Sequence, residues 1–359
     1  MYLYHRDLEN AFVYTQVNEF INFLEHLAMK TFMKFWPIIL LLGFLSCEKK
    51  DSSIKYKSSS DYLSDKAILS IQLYDNNIWV YSTKVCDTCY VSPIMSSTPM
   101  ISQLTLINNN GFDYEEPTLV STPTMDHHGN LYTVSRNKMF KLIDIKNYEL
   151  VFETKDFNFF DFAFDKNDNI WLAGDNGIAF WNGKELQIFN TSNSELPSNI
   201  IHGLDIDTSD NVWVALDFKG LLKINGDKWE IIPSTEIPGL STYSYLNNPI
   251  VDNENNIWFN VFMPNTTSSF LKFTGKDWQY EYPNELGNGV LNIDSKGTIW
   301  AINSEYENSV FKRSTLTYLQ NNEWVNFDVS TIKTKILTVN SDDRKVYIGT
   351  TEGLIVVEK

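Results

Sequence analysis

The sequence lacks most of the features on which common activities depend. Only 29 of its 359 residues are Lys or Arg, against 45 Asp and Glu, so the formal net charge is -16. Nucleic-acid binding needs clustered basic side chains that neutralise phosphates, and this balance argues against DNA or RNA as a partner. No GxSxG, HExxH or glycine-rich phosphate-binding motif occurs. The residues therefore offer no familiar catalytic signature.

The apolar segment near the N-terminus is too short to cross a membrane. Phe35–Leu45 has 11 residues, whereas a helix that spans the hydrocarbon core needs about 20. Lys30 and Lys34 precede this stretch, and the small residue Ser46 follows it. A basic start, a short apolar core and a small residue are typical of a signal peptide.

The segment Met29–Cys47 resembles a bacterial lipoprotein signal. In that family the chain is cut before a cysteine, which then carries the lipid, and Cys47 holds that position. The family prefers Leu three residues before the cysteine, whereas this chain has Phe44 there and Leu45 next. The resemblance implies removal of residues 29–46 and a lipid anchor in the bacterial envelope, at the outer membrane. An ordinary secretory signal with an incidental cysteine is the alternative.

The segments on either side of this signal have separate interpretations. Residues 1–28 contain four acidic side chains, unlike the short basic start of a signal peptide, and are interpreted as a mis-annotated extension upstream of Met29 or Met33. Residues 47–60 begin with a polar run and are predicted to be a tether that includes a possible closing strand.

One pattern recurs seven times between residues 61 and 359: an apolar run, an acidic turn, then a small polar residue, an aliphatic residue and an aromatic one. The aromatic anchors lie 39 to 53 residues apart and are Trp79, Tyr132, Trp171, Trp213, Trp258, Trp300 and Tyr347. Four short strands in about 40–45 residues is the spacing of a propeller blade. The sequence therefore predicts an all-β fold, a seven-bladed β-propeller of four-stranded antiparallel blades.

The repeats resemble those in the periplasmic sensor regions of two-component regulators. Asn190–Gly220 carries the resemblance best, with a Leu-Pro-Ser-Asn lead-in at Leu196–Asn199 before the strand, turn and Trp213. Tyr132 and Tyr347 depart from the pattern, since Tyr stands where the family has Trp. The resemblance implies a ligand-sensing propeller.

The last unit ends after its third strand, at Gly353–Lys359. We predict that Ile54–Ser60 supplies the missing fourth strand and so closes the ring. Closure of this kind covers a sheet edge that would otherwise be open to pairing with other chains.

Two motifs invite a metal interpretation. The turns at 165–169 and 252–256 place oxygen atoms at alternate positions, as calcium loops do, but lack the final glutamate and the flanking helices. Hairpin turns and no cofactor are predicted, with calcium as the alternative. Cys86 and Cys89 form a single CxxC pair, which is predicted to be a local disulfide in an oxidising envelope. The alternatives are that these cysteines are free thiols or that they have a metal-binding or redox role.

Three histidines follow the signal segment. His127 and His128 lie in an acidic turn and are predicted to be solvated turn residues, whereas His202 begins an inner strand and is a candidate for the central channel. Some propellers of similar repeat pattern, the streptogramin lyases, use a His/Glu pair with Mg²⁺ there, but the sequence does not identify a glutamate that would pair with His202.

The candidate binding rim comprises the loops between second and third strands together with the connections between blades. Its residues are aromatic and polar: Tyr90, Arg136, Phe159, Asp175, Asp217, Phe218, Tyr243 and Tyr306. Such loops suit glycan or peptide recognition. The predicted function is an envelope lipoprotein that binds a glycan, a peptide or a partner protein without catalysis. A lyase or hydrolase acting at the channel mouth, or a purely structural envelope protein, is the alternative.

Overall fold

The structure is a computed structural model that describes residues 63, 66–75, 77–84, 102–108, 111–115, 123–144, 147–240, 245–262, 269–281, 289–308 and 310–359. These residues form 27 β-strands and two 3-10 turns, Asp217–Lys219 and Ser234–Glu236. None of the helices within these ranges has the length and apolar character required to traverse a lipid bilayer.

The strands pair into seven antiparallel sheets in chain order. Blade 1 contains β1 (Lys66–Tyr74), β2 (Asn77–Lys84), β3 (Ser102–Asn108) and β4 (Gly111–Glu115). Blade 2 contains β5 (Thr124–Met125), β6 (Leu131–Ser135), β7 (Lys138–Leu142) and β8 (Tyr148–Glu153). Blade 3 contains β9 (Phe159–Phe164), β10 (Ile170–Gly174), β11 (Gly177–Trp181) and β12 (Leu186–Phe189). Blade 4 contains β13 (Leu204–Ile206), β14 (Val212–Ala215), β15 (Gly220–Asn225) and β16 (Lys228–Pro233).

The remaining sheets continue the series. Blade 5 contains β17 (Tyr245–Val251), β18 (Ile257–Phe262), β19 (Ser269–Phe273) and β20 (Trp278–Glu281). Blade 6 contains β21 (Val290–Ile293), β22 (Ile299–Glu307), β23 (Val310–Gln320) and β24 (Glu323–Phe327). Blade 7 contains β25 (Ile336–Ser341), β26 (Lys345–Thr350) and β27 (Gly353–Glu358).

This arrangement confirms the predicted seven-bladed β-propeller. The first strands of blades 3, 4, 5, 6, 7 and 1 contact one another in that order, which makes the first strands the inner strands of the ring. Blade 7 meets blade 1 directly, because Asn340 Nδ2 donates to the carbonyl of Ile71 at 2.8 Å. Among the described residues blade 7 has three strands. The predicted closing strand Ile54–Ser60 lies outside those residues.

Each of the seven interfaces between blades has its own hydrophobic cluster. Alternation along a strand sends successive side chains to opposite faces of a sheet. Strand β14 shows the consequence, since all four of its residues are buried. Val212 and Val214 pack toward blade 3, whereas Trp213 and Ala215 pack toward blade 5. The alternating apolar pattern therefore fills two interfaces at once.

The acidic turn is a structural anchor for the aromatic residue that follows it. Asp207 Oδ1 accepts the backbone N–H groups of Ser209 and Asn211, both at 2.9 Å. Its Oδ2 accepts Asn211 Nδ2 at 2.7 Å and Trp213 Nε1 at 2.9 Å. The same carboxylate-to-aromatic bond recurs in three other blades, in the pairs Asp252–Trp258, Asp294–Trp300 and Asp342–Tyr347. The lone pairs of these carboxylates accept donors of their own hairpin. These segments are therefore hairpin turns, as the repeat pattern predicts.

Neighbouring turns also bond to one another around the ring. The second turn residue of one blade donates its backbone N–H to the fourth turn residue of the next blade, in the pairs His127–Asp168, Lys166–Asp210 and Thr208–Asn255. These acceptors have φ values of 58°, 60° and 63°. Asp and Asn are among the few non-glycine residues that adopt positive φ readily. The Asp/Asn-rich turns therefore serve both hairpin geometry and contact between blades.

Candidate functional site

One rim of the propeller is formed by loops between second and third strands and by connections between blades, as the candidate binding rim requires. We call it the upper rim. Asp175, between β10 and β11, accepts the backbone N–H of Asn158 at 2.8 Å and its Nδ2 at 2.6 Å. Ile201 N donates to the carbonyl of Gly174 at 2.9 Å. These bonds fix the loop of blade 3 against the connections on either side of it.

Several predicted rim residues lie on this surface. Arg136 is exposed, with a φ of 55°, and its carbonyl accepts Phe159 N at 2.8 Å. Asp175 is exposed, and Phe218 is 49% exposed in the turn that begins at Asp217. The other predicted residues in this group lie outside the described residues: Tyr90 and Tyr243 of the rim, Cys86 and Cys89 of the predicted disulfide, and the lipidation candidate Cys47.

Residues Tyr306–Lys312 form the tip of the hairpin that joins β22 to β23. Tyr306 is 40% exposed and packs edge-to-face on Phe311, with ring centroids 5.9 Å apart. Lys312 Nζ lies 2.5 Å from Glu307 Oε2. The predicted rim residue Tyr306 is thus held by contacts within this tip.

A β-bulge separates the roles of two adjacent phenylalanines at the start of β9. Pairing with β10 passes from Phe159 to Asp161 and skips Phe160. Phe159 is 5% exposed and packs on Phe157 in the core, so its side chain is not available at the rim. Phe160 is 44% exposed instead. A bulge that redirects a side chain in this way is common beside binding sites.

Phe160 and His202 form an exposed ring pair. Their ring centroids lie 5.8 Å apart, with the planes 15° from parallel. Phe160 is on the inner strand of blade 3, and His202 lies two residues before the start of the inner strand of blade 4. The channel candidate His202 thus stacks on a neighbouring ring at the upper end of the inner strands. His127 and His128 lie at the opposite rim, where both are exposed and both contact Asp168, at 2.9 and 3.0 Å.

A cavity of about 680 Å³ follows the inner strands of blades 2 to 6. Its wall is part apolar and part polar: Thr124, Met125, His127, Asp161, Phe162, Ala163, Phe164, Leu204, Asp205, Ile206, Pro249, Ile250, Asn260, Val290 and Leu291. A concave site with apolar walls and few polar groups is the usual form of a small-molecule site. The channel is therefore the main candidate site among the described residues.

Two carboxylates of the cavity wall join neighbouring inner strands. Asp161 Oδ2 accepts the N–H of Leu204 in the next blade at 3.2 Å, while Oδ1 accepts Phe162 N at 2.9 Å. Asp205 Oδ2 accepts the N–H of Val251 in the following blade at 2.8 Å, and its Oδ1 accepts Ile206 N at the same distance. Both side chains thus face the channel and also accept a backbone N–H from the inner strand of the next blade. We call such a bond between neighbouring inner strands a clasp.

These carboxyls hold their protons unusually tightly. Burial raises the pKa of Asp161 to about 7 and that of Asp205 to about 6, and outweighs the N–H bonds that favour the ionised forms. The charge of Asp205 raises the pKa of Asp161 further, and Asp207 does the same to Asp205. Carboxyls with raised pKa values that line a cavity are features of binding and catalytic sites.

We expect the contribution of Asp161 to the stability of the propeller to fall as the pH rises from about 4 to about 7. The folded-state pKa of Asp161 exceeds the ordinary value of 3.8, so the folded state binds the proton more tightly than the unfolded state does. The resulting stability is complete below pH 4 and is lost as the pH passes through about 7. Replacement Asp161→Asn removes this buried charge and should raise the free energy of unfolding by roughly 4 kcal/mol more at pH 8 than at pH 4.

Urea unfolding of the wild type and Asp161→Asn at both pH values measures this difference, because other titrating groups cancel in the comparison. A variant effect that is equal at pH 4 and pH 8 would contradict it.

Sequence reasoning missed Asp161, Asp205 and Asn260 as site residues. A signal was present, since each is a polar residue within an otherwise apolar strand. The described residues contain no group of three or more His, Cys, Asp or Glu side chains placed to hold a metal ion.

Comparison with known proteins identifies relatives by fold. No family model and no curated protein matches the chain. The extracellular domain of a hybrid two-component system from B. thetaiotaomicron superposes with a TM-score of 0.57 at 17% identity, over 82% of this chain and 39% of that one. A second such domain from the same organism gives 0.55 at 15% identity, over 86% and 40%. This chain shares their propeller fold.

Enzymes with this fold are equally similar in structure. Catalytically inactive virginiamycin B lyase from Staphylococcus aureus, bound to quinupristin, superposes with a TM-score of 0.57 at 12% identity, over 82% of this chain and 94% of that one. The chain spans about two fifths of the length of the two extracellular domains. At these identities the similarity establishes the architecture alone.

Proposed function

We propose that the propeller is a non-enzymatic binding module that takes its ligand at the upper mouth of the channel. The observation that carries this proposal is the cavity of about 680 Å³ between the inner strands, with the exposed Phe160–His202 pair at the upper end of the inner strands of blades 3 and 4. Aromatic faces beside hydrogen-bonding groups recognise glycans and peptides well. The two-component relatives, which are extracellular domains, support a sensing role outside the cytoplasm.

The lipoprotein-like segment adds a location to this proposal. Cys47 carries a lipid that holds the domain at the envelope, at the outer membrane, and residues 47–60 act as its tether. Labelling cells with an alkyne fatty acid tests this point. Incorporation in the wild type and none in Cys47→Ser is expected, whereas equal labelling of the two proteins would refute the anchor.

A lyase or hydrolase at the channel mouth is the second candidate. It is favoured by Asp161, whose pKa near 7 suits a general acid or base at neutral pH. Against it, both oxygens of Asp161 already accept backbone N–H groups, and His202 stacks on the ring of Phe160.

A thermal-shift screen of residues 48–359 against glycans, peptides and divalent metals tests the binding proposal. A ligand that raises the melting temperature of the wild type should lose most of this effect with Phe160→Ala, because the exposed ring is removed without disturbing the core. Ile143→Ala, an exposed side chain after β7, is the matched control and should retain the full shift. A shift unaffected by Phe160→Ala would place the ligand elsewhere, and turnover of the ligand would favour the enzyme.

A further inference from the structure

The negative charges of Asp161 and Asp205 are not needed to join neighbouring blades. Between blades 6 and 7 the same clasp is made by a neutral side chain, since Asn292 Oδ1 accepts Val339 N at 3.0 Å. A second amide, that of Asn340, joins blade 7 to blade 1. An amide therefore suffices to join two inner strands. Asp161 and Asp205 make an equivalent bond but also place negative charge on the cavity wall, at a cost in desolvation.

Acceptor groups dominate the polar part of this wall. Each carboxylate oxygen of Asp161 and Asp205 accepts one backbone N–H and, with two lone pairs, can accept another hydrogen bond. The amide oxygen of Asn260 is buried and accepts no hydrogen bond from the described residues. Neither Lys nor Arg occurs in the described lining. A ligand that supplies several N–H donors and a positive charge would satisfy all three side chains.

The surroundings of these acceptors are apolar. Phe162, Ile206 and Ile250 lie in the same wall, and Phe160, directly before Asp161 in the chain, is exposed at the upper end of β9. An ammonium group alone would be compatible with the carboxylates but not with this apolar surface. A ligand with an aromatic body matches both, because rings pack favourably on aromatic faces.

We propose that the channel binds a small amphipathic amine, whose ammonium group contacts Asp161 and Asp205 and whose aromatic body packs on the apolar wall and Phe160. This inference rests on the proposed function and names the ligand class for the same site. The Asn260 oxygen accepts a further N–H of the ligand. The net charge of -16 draws cations toward the protein.

Tryptamine and tryptophol are the probes for this proposal, since they share an indole ring and differ in an ammonium group against a hydroxyl. Isothermal titration calorimetry at pH 7.5 should give tryptamine an affinity for the wild type at least about tenfold higher than that of tryptophol. The double variant Asp161→Asn/Asp205→Asn should lose about tenfold or more in tryptamine affinity and leave tryptophol affinity unchanged.

The control is Glu230→Gln, which removes one negative charge from β16, outside the cavity, and should leave tryptamine binding as in the wild type. The Asn replacements preserve a clasp of the Asn292 kind, and melting curves of each variant establish that it is folded. If the double variant fails to fold, Asp205→Asn alone is titrated.

Three results would overturn the proposal: equal wild-type affinity for the two probes, tryptamine affinity unchanged in the double variant, or no binding of either probe. The results that reject amine recognition can be distinguished from those that reject the proposed binding function. Equal binding of both probes that is lost with Phe160→Ala would retain a ligand site at the mouth and reject only the charge recognition. A glycan or peptide that binds in the thermal-shift screen while tryptamine does not would do the same.

Discussion

Replacement Asp252→Ala should lower the free energy of unfolding by about 3 to 4 kcal/mol. Asp252 is buried and accepts the N–H groups of Glu254 and Asn256, at 2.9 and 2.8 Å, and Trp258 Nε1 at 2.8 Å. Trp258 is 0% exposed. Removal of the carboxylate therefore leaves several buried donors without partners, and an unsatisfied buried donor costs far more than a typical hydrogen bond contributes.

Urea unfolding followed by tryptophan fluorescence measures this loss. Asp277→Ala is the matched control, because Asp277 lies in the exposed turn between β19 and β20, and its replacement should change stability by no more than about 0.5 kcal/mol. If Asp252→Ala proves as mild as the control, the turn aspartates are not the anchors of the blades.

Deletion of residues 50–62 should destabilise the whole propeller, because Ile54–Ser60 is predicted to complete blade 7. The spacing supports this strand. Connections from an outer strand to the next inner strand contain between 5 residues (154–158) and 14 residues (190–203). A strand that ends at Ser60 leaves five residues, 61–65, before β1 begins at Lys66. Leu63 within this connection packs on the cluster formed by blades 7 and 1.

We expect the protein that lacks residues 50–62 to melt in one transition, at least about 5 °C below the protein that retains them. A ring of blades loses stability when one sheet edge is left open. Deletion of residues 1–28 is the control and should not change the melting temperature. An unchanged melting temperature after deletion of 50–62 would exclude this closure.

The architecture is predictable from the sequence because its causes are local. The two-residue alternation within β14, the turn beginning at Asp207 and the aromatic residue six positions later all lie within a few residues of one another. Seven copies of such a unit leave little choice of fold. The clasp from Asp161 to Leu204 joins residues 43 positions apart, and no local pattern indicates it.

The binding rim shows the same contrast between features that a local sequence pattern predicts and features that depend on strand pairing. Its loops could be assigned to one rim from strand order alone, but the choice between Phe159 and Phe160 depended on a bulge that skips one residue in the pairing of β9 with β10. Alternation without that bulge assigns the wrong ring to the surface. The identity of the exposed side chain therefore required the register of the sheet.

A crystal structure of residues 48–359 soaked with tryptamine tests ligand binding in the channel most directly. We expect density for the ammonium group within hydrogen-bond distance of Asp161 and Asp205, and density for the indole near Phe160. An empty channel with tryptamine bound only on the outer strands of the blades would contradict the proposed site.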